Sequence, residues 1–170
     1  NDSYVSLGLD IYRYEREYDD FDRELLGAGI TPGYPMERVF GEWAEDITGS
    51  LRYEFMDIDI SNVNPLEAAQ LVIDSEGRST ASTFTPRLVR STLNNTMDPT
   101  SGSLQDLAVE LAGAGGDEQY YLLQAKQTWY YPLFPMGNGE VVFSWRTRVD
   151  YGETFNDEVF PLFQRFFPGG

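Results

Sequence analysis

Residues 140–152, EVVFSWRTRVDYG, alternate between two kinds of side chain along one stretch of chain. Successive side chains of a β-strand point to opposite faces, so this stretch predicts a two-faced ribbon. One face is mostly apolar and aromatic, with Val141, Phe143, Trp145, Thr147, Val149 and Tyr151. The other carries Arg146, Arg148 and Asp150 at its middle. This combination is typical of a transmembrane β-barrel strand, which is apolar towards lipid and polar towards the lumen.

The composition is compatible with such a barrel. The 170 residues are 41% hydrophobic with a mean hydropathy of -0.39, and no run approaches the roughly 18 apolar residues of a spanning helix. A helical membrane protein is therefore excluded, whereas alternation in a barrel strand keeps hydropathy near neutral. The aromatic content of 15% fits the interfacial girdles of a barrel. We expect one partial outer-membrane β-barrel domain over residues 1–170 and no second domain.

Charge and residue usage exclude several functions. The net charge of -16 disfavours nucleic acid as a partner, because phosphate binding needs a basic surface. The chain has no Cys and no His, so disulfide scaffolds, Ser-His-Asp triads and His-based zinc sites are absent. Acids cluster in one connection between Glu15 and Glu24, but their spacing matches no EF-hand loop. With 28 acids, carboxylate pairs have almost no specificity for catalysis. We expect no enzyme activity and no cofactor; divalent cations could bind the acidic connection, but the sequence assigns no metal site there.

Six further stretches give a predicted total of about seven consecutive antiparallel strands. They are Tyr4–Tyr14, Leu25–Thr31, Asp46–Asp57, Phe84–Leu93, Ser103–Ala112 and Tyr120–Tyr131. Pro32 is expected to end the second strand, and Pro86 to mark an edge strand or a strand beginning, because proline cannot donate to a ladder. Asn64 is predicted to cap a short helix with Pro65 at its first position and a body at residues 66–73.

The connections differ between the two ends of the predicted sheet. One end carries the acidic connection, the helix and a Phe-rich tail, and the other carries Pro/Gly turns. A turn is predicted at Asp98, Pro99 and Gly102, since proline presets φ and glycine accepts positive φ. Long loops outside and short turns in the periplasm are typical of outer-membrane barrels. Aromatics at the strand ends predict two girdles, with members Tyr12, Tyr14, Tyr34, Trp129, Tyr131 and Phe134.

Several motifs resemble the BamA-type outer-membrane assembly factors, the bacterial surface antigen family. The run at 120–133, YYLLQAKQTWYYPL, resembles the strand before a periplasmic turn in that family, and residues 146–152 resemble the strand that follows. The turn at 99–102 also matches. Residues 161–170, PLFQRFFPGG, resemble the segment that leads into the family's sixth extracellular loop. The stretch STLNN at 91–95 departs from the family's usual residues before the turn, and the Val-Arg-Gly-Phe motif would follow Gly170.

The resemblance implies a fold and a function. The chain would be the central part of a sixteen-stranded barrel in the bacterial outer membrane, continued by the remainder of the same barrel. It would act without enzymatic chemistry in folding and inserting outer-membrane proteins. Its partners would be client outer-membrane proteins, accessory assembly lipoproteins and outer-membrane lipid. The lead-in to the sixth loop would comprise Phe163, Arg165, Phe166, Phe167, Gly169 and Gly170.

The polar set in the last strand has two interpretations. Arg146, Arg148 and Asp150 would line the lumen and hold an inserted loop by charge-assisted hydrogen bonds, or they would be solvated lumen residues without a specific partner. In the family the sixth loop folds into the lumen, which favours loop support.

Two alternative functions remain open at this stage. One is another barrel of the same superfamily, in two-partner secretion or autotransporter assembly. The other is a soluble lipocalin-like carrier of a hydrophobic ligand, whose apolar strand faces would point into a closed core.

Overall fold

A single antiparallel sheet makes up nearly all of the structure, a computed structural model that describes residues 5–66, 68–137, 139–155 and 161. Its strands lie side by side in chain order as an open meander. They are β1 Ser6–Glu17, β2 Asp22–Pro35, β3 Ile47–Ser61, β4 Gly77–Ser91, β5 Gly102–Ala112, β6 Tyr120–Met136 and β7 Gly139–Thr154. This confirms the predicted all-β class and seven-stranded antiparallel order.

The connections after β2, β4 and β6 define one end of the sheet, here named the turn end. The first of them holds helix α1 at Glu37–Phe40 and a 3₁₀ turn at Glu42–Ala44. The connections after β1, β3 and β5 define the loop end, where helix α2 spans Gln70–Asp74. The acidic connection is shorter than predicted, because β1 runs to Glu17 and β2 begins at Asp22, so that most of its acids lie within paired strands.

Two prolines lie inside strands, which corrects the predictions made from them. Strand β2 continues through Pro32 to Pro35, where Pro32 pairs with Leu7 of β1 while the register with β3 is interrupted between Ile30 and Gly33. A proline lacks the N–H that a ladder needs, and here the interruption lies on one side of the strand only.

Pro86 follows the same arrangement in β4, which is a central strand rather than an edge. It pairs with Leu51 of β3, and the register with β5 skips from Phe84 to Arg87. The strand begins at Gly77, well before the predicted start at Phe84. Its early part was missed because small polar residues fill it, whereas the sequence criteria weight β-branched and aromatic side chains.

The cross-strand register aligns the alternating side chains of all seven strands into two faces. The apolar face is exposed: Leu9 is 72% accessible, Ile11 86% and Trp145 58%. Its main members are Leu7, Leu9, Ile11, Leu26, Ile30, Leu51, Phe55, Phe84, Leu88, Leu107, Leu111, Leu123, Trp129, Tyr131, Phe143, Trp145, Val149 and Tyr151. The opposite face, here named the polar face, carries most of the paired charges of the sheet.

Strand β3 exchanges its two faces near the loop end. Up to Phe55 its apolar side chains lie on the apolar face, but from Met56 onward the buried side chains lie on the polar face side. There Ile58 is 1% exposed. These residues belong to the loop-end cluster, which comprises Met56, Ile58, Ile60, Val72 and Ala81.

Helix α2 closes the loop-end cluster and is shorter than predicted. The expected body at 66–73 is helical only from Gln70, and Pro65 and Leu66 lie in a turn. Asn64 accepts a hydrogen bond from the backbone of Leu66 at 3.2 Å. Short helices gain most of their stability from packing, and Val72 is the helix residue in the cluster.

Candidate functional site

The polar face of β1–β3 is organised around Arg52. Its guanidinium donates to Asp10 Oδ2 at 2.7 Å and to Glu54 Oε1 at 2.6 Å. Tyr12 donates its hydroxyl to the same Glu54 oxygen at 2.8 Å. One cation thus joins β1 to β3 across the intervening strand, through charge-assisted hydrogen bonds that are shorter and stronger than neutral ones.

Two glycines of β2 make room for this network. A Cβ at Gly27 would lie 2.4 Å from the ring of Tyr12, and a Cβ at Gly29 would lie 3.0 Å from Arg52 Nη2. The bulky side chains of β1 and β3 therefore lie over β2, which supplies no side chain of its own at these two positions. The apolar alternation of β2 did not reveal this role.

A second ion pair lies further along the same face. Arg87 of β4 donates to both carboxylate oxygens of Asp106 of β5, at 2.7 and 2.6 Å. A cavity of about 180 Å³ extends from this pair to Arg52 on one side and Lys126 on the other. Paired charges around a hydrated space are what the lumen side of a barrel wall requires.

The predicted polar set of β7 lies on the polar face beside β6. Arg148 donates to Asp150, and Arg146 donates to the hydroxyl of Tyr130 at 3.3 Å. Arg148 also stands directly opposite Lys126 in the register. Like charges in directly opposed positions repel, but here each cation also has a carboxylate beside it, since Lys126 stands opposite Asp106 of β5. The predicted loop lead-in, from Phe163 to Gly170, lies outside the described residues.

The girdle residues divide between the two faces. Tyr34, Trp129, Tyr131 and Phe134 lie on the apolar face towards the turn end, with Trp129 opposite Trp145 and Tyr131 opposite Phe143. Tyr12 and Tyr14 lie on the polar face instead, since they share the register positions of Gly27 and Leu25. Tyr12 serves the Arg52 network, so its aromatic ring cannot also face lipid.

One aromatic pair at the turn end was missed by the sequence analysis. Phe40 and Trp43 lie 5.7 Å apart between ring centroids, in the connection between β2 and β3, and Trp43 is 73% exposed. The signal was a tryptophan next to the end of a strand, a place where amphipathic rings are common in membrane proteins.

The turn between β4 and β5 contains the predicted Asp98, Pro99 and Gly102. Gly102 has a φ of +101°, and a Cβ there would lie 2.1 Å from the carbonyl oxygen of Thr92. The side chain of Asn94 closes the turn, because its Oδ1 accepts from the backbone of Thr100 and of Ser101, each at 3.1 Å. Asn94 belongs to the stretch that departs from the family's usual residues before the turn.

The described residues show neither a cluster of metal-ligating side chains nor a membrane-spanning helix. No group of three or more acidic side chains is placed to hold a metal ion in this part of the chain. Among the same residues, no helix is long and apolar enough to cross a membrane.

Comparison with known proteins gives two matches. The profile of the Omp85 superfamily domain matches residues 1–170. The chain is also similar to the outer membrane protein assembly factor BamA of Neisseria meningitidis serogroup B (strain ATCC BAA-335 / MC58), with 28% identity over 190 residues. That match covers 98% of this chain and 22% of the relative, so the chain spans less than a quarter of the relative's length.

Proposed function

The chain belongs to the Omp85 superfamily, and from this premise we propose that it forms the central wall of a barrel that folds and inserts outer-membrane proteins. The protein is a bacterial outer-membrane protein of the BamA type. The observation that carries the proposal is the match of the whole chain to the superfamily, together with a sheet that is apolar and exposed on one face and ion-paired on the other.

The two faces support a membrane wall rather than a soluble carrier. A soluble lipocalin-like protein would bury its apolar strand faces in a closed core, whereas here Leu9, Ile11 and Trp145 stay largely exposed. Exposed apolar surface on this scale marks contact with lipid or with another protein. Lipid is the occupant that fits a whole sheet face.

The proposed mechanism needs no catalytic residue. A barrel of this kind would present a β-edge to which a client strand adds by main-chain hydrogen bonds, and it would perturb the lipid around it. In the described chain β2 to β6 each pair with strands on both sides. The strands that template a client would lie elsewhere in the protein, and this part would supply wall, girdle and loop support as one barrel domain.

Loop support is assigned to Arg146, Arg148 and Asp150. Arg148 pairs with Asp150, and Lys126 stands opposite Asp106 of β5 as well as opposite Arg148, so these charges partly offset one another within the sheet. A segment folded into the lumen would add charge-assisted hydrogen bonds to the same side chains. In the full-length protein, Arg148→Ala should make the sixth loop more sensitive to protease. Unchanged cleavage of that loop would remove the role.

The test of the proposed function uses the full-length protein reconstituted in phospholipid vesicles. Folding of an added outer-membrane protein client should be several-fold faster than in empty vesicles, as measured by its protease resistance over time. Equal rates would exclude an assembly role. Acceleration that depends on a dedicated secreted substrate would instead favour the two-partner secretion or autotransporter-assembly alternative.

The mass of the intact polypeptide tests whether this chain is part of a larger barrel. We expect the intact polypeptide in the source membrane to be several times heavier than 19.3 kDa, with peptides that continue past Gly170 into a Val-Arg-Gly-Phe stretch. Accessory lipoproteins should be recovered with it under mild detergent. A polypeptide of the mass of this chain alone would contradict a central wall.

A further inference from the structure

The apolar face contains a groove near the turn end, with a volume of about 690 Å³. The groove crosses β2 to β5, and its walls are almost entirely apolar, formed by Tyr34, Met36, Leu51, Leu88, Leu107 and Val109. The groove is open to its surroundings, because Leu51, Leu88 and Leu107 are each about half exposed.

Small residues and prolines form the floor of the groove. Gly49 of β3 lies on the apolar face between Tyr34 of β2 and Leu88 of β4 in the register. A Cβ at Gly49 would lie 2.6 Å from the Cε methyl of Met36 and 3.5 Å from Leu88. The space above Gly49 is therefore taken by the end of the Met36 side chain, which forms part of the groove wall at this position.

A cation lies beyond the groove on the same face. Arg90 follows Leu88 by two residues, so it lies about 7 Å further towards the turn end. Its nearest acid is Asp46, at 4.0 Å, and both side chains are about half exposed. The Arg90 guanidinium is thus only loosely paired and has donors available to an anion.

We propose that this groove and Arg90 bind one phospholipid of the leaflet at the turn end, with an acyl chain in the groove and the phosphate on Arg90. The inference rests on the proposed function, in which the apolar face lies in lipid, and on the expectation from the sequence that the turn end faces the periplasm. A phospholipid has an apolar acyl chain and an anionic phosphate, which correspond to the apolar groove and to Arg90 beyond it. A client strand would need main-chain partners, which paired central strands do not offer.

The exposed aromatic pair at the turn end supports placing Arg90 at the headgroup level of the bilayer. Trp43 and Phe40 lie in the connection that begins at Met36, and amphipathic aromatic rings prefer the headgroup level of a bilayer. The Arg90 side chain leaves the sheet near the same end, because its neighbour Ser91 is the last residue of β4.

The experiment counts phospholipids retained by the full-length protein after extraction in polymer nanodiscs and mild detergent exchange, by native mass spectrometry. Gly49→Leu adds bulk at the floor of the groove, where the added Cβ would displace the end of the flexible Met36 side chain. Arg90→Gln removes the cation. Each variant should lower the occupancy of the retained phospholipid at least several-fold.

Matched controls lie on the same face away from the site. Thr147→Leu adds apolar bulk on β7, and Arg13→Gln removes a cation of the apolar face at the loop end, where Arg13 pairs with Glu24. Both should retain the phospholipid like the unmodified protein. Val109→Trp fills the groove from β5 and replaces Gly49→Leu if that variant fails to fold, as judged by circular dichroism.

A photoreactive residue at Leu88 in vesicles of phosphatidylethanolamine and phosphatidylglycerol identifies the occupant. Crosslinking to lipid that is lost in Arg90→Gln supports the inference. Crosslinking to a protein, or phospholipid counts that stay equal in all variants, overturns it. A protein that does not partition into membranes at all would instead contradict the proposed function.

Discussion

The turn-end part and the loop-end part of β3 follow the same alternation with opposite polarity. Between Leu51 and Phe55 the apolar side chains lie on the exposed face of the sheet. Beyond Met56 they lie on the other face beneath α2, and Asp57 and Asp59 occupy the positions that apolar residues held before. The strand itself continues without a bulge in its register with β4.

The difference indicates a change of surroundings along one strand. Where the apolar face of the sheet meets lipid, its side chains are apolar. The polar face at the same level can carry ion pairs such as Arg52 with Glu54. Nearer the loop end, the continuation of the apolar face would meet water. The polar-face side of β3 is covered there by α2 and the rest of the loop-end cluster. In the proposed barrel, the exchange between Phe55 and Met56 would mark the level at which the sheet leaves the membrane.

The largest effect is expected inside the loop-end cluster. Ile58→Asp would bury a carboxylate where Ile58 is 1% exposed, and an uncompensated buried charge costs about 4 kcal/mol. Urea unfolding of the full-length protein in phospholipid vesicles should show a large loss of stability. Asp59→Asn, one position along on the apolar-face side, is the control and should change little. Equal effects of the two variants would contradict the exchange of faces.

The second largest effect is expected from a charge placed on the apolar face of β1, and its size should depend on the level along the strand. Leu9→Arg places a charge in the lipid-facing part and should lower the free energy of unfolding in vesicles by about 2–4 kcal/mol. Glu15→Arg lies on the same side, six residues nearer the loop end, and should have little effect. If Leu9→Arg is as mild as Glu15→Arg, the apolar face does not lie in lipid.

The strand count, the antiparallel order and the two faces of β1, β5, β6 and β7 were predictable because period-two alternation is a local property. The exchange within β3 was not, because alternation has the same period whichever face is buried. The prediction ended this strand at Asp57, close to where its polarity changes. The register shows that the strand continues, and the cluster that Ile58 forms with Val72 shows that its polar-face side is apolar there.

The partners on the polar face were equally hidden from the sequence. Arg52 and Asp10 are 42 residues apart, and nothing local connects them. The sequence analysis gave no role to Gly27 and Gly29, although their lack of side chains is what admits Tyr12 and Arg52. By contrast, the family resemblance depended on short local motifs and was confirmed over the whole chain.

A smaller loss of stability is expected on the polar face, where the Arg52 network of β1–β3 should contribute more than Arg146 of β7. Arg52→Gln leaves Asp10 and Glu54 without their shared cation, and a half-buried charged group that loses its partner costs about 1–3 kcal/mol. Arg146→Gln removes only a 3.3 Å contact with Tyr130 and should have a smaller effect. Vesicle-based urea unfolding measures both. A larger loss for Arg146→Gln would mean that β6 and β7, rather than β1–β3, hold the tighter network.

The smallest effect is expected at the loop end, outside the lipid. The hydroxyl and backbone amide of Thr80 donate to Asp117 at 2.8 and 2.9 Å, and these hydrogen bonds hold the pKa of the Asp117 carboxyl below its usual value. A carboxyl whose pKa is lowered by folding contributes stability that is present above its unfolded pKa and is lost as pH falls through its folded pKa.

Amide exchange at Thr80, corrected for the intrinsic pH dependence, should therefore accelerate as pH falls below about 4. Asp117→Asn should remove that acid-dependent step, because the amide does not titrate in this range. If the step persists in Asp117→Asn, another group controls the opening of this loop. Exchange at Ser103, whose amide donates to the hydroxyl of Thr92 at the opposite end of the sheet, is the internal reference and should show no such step.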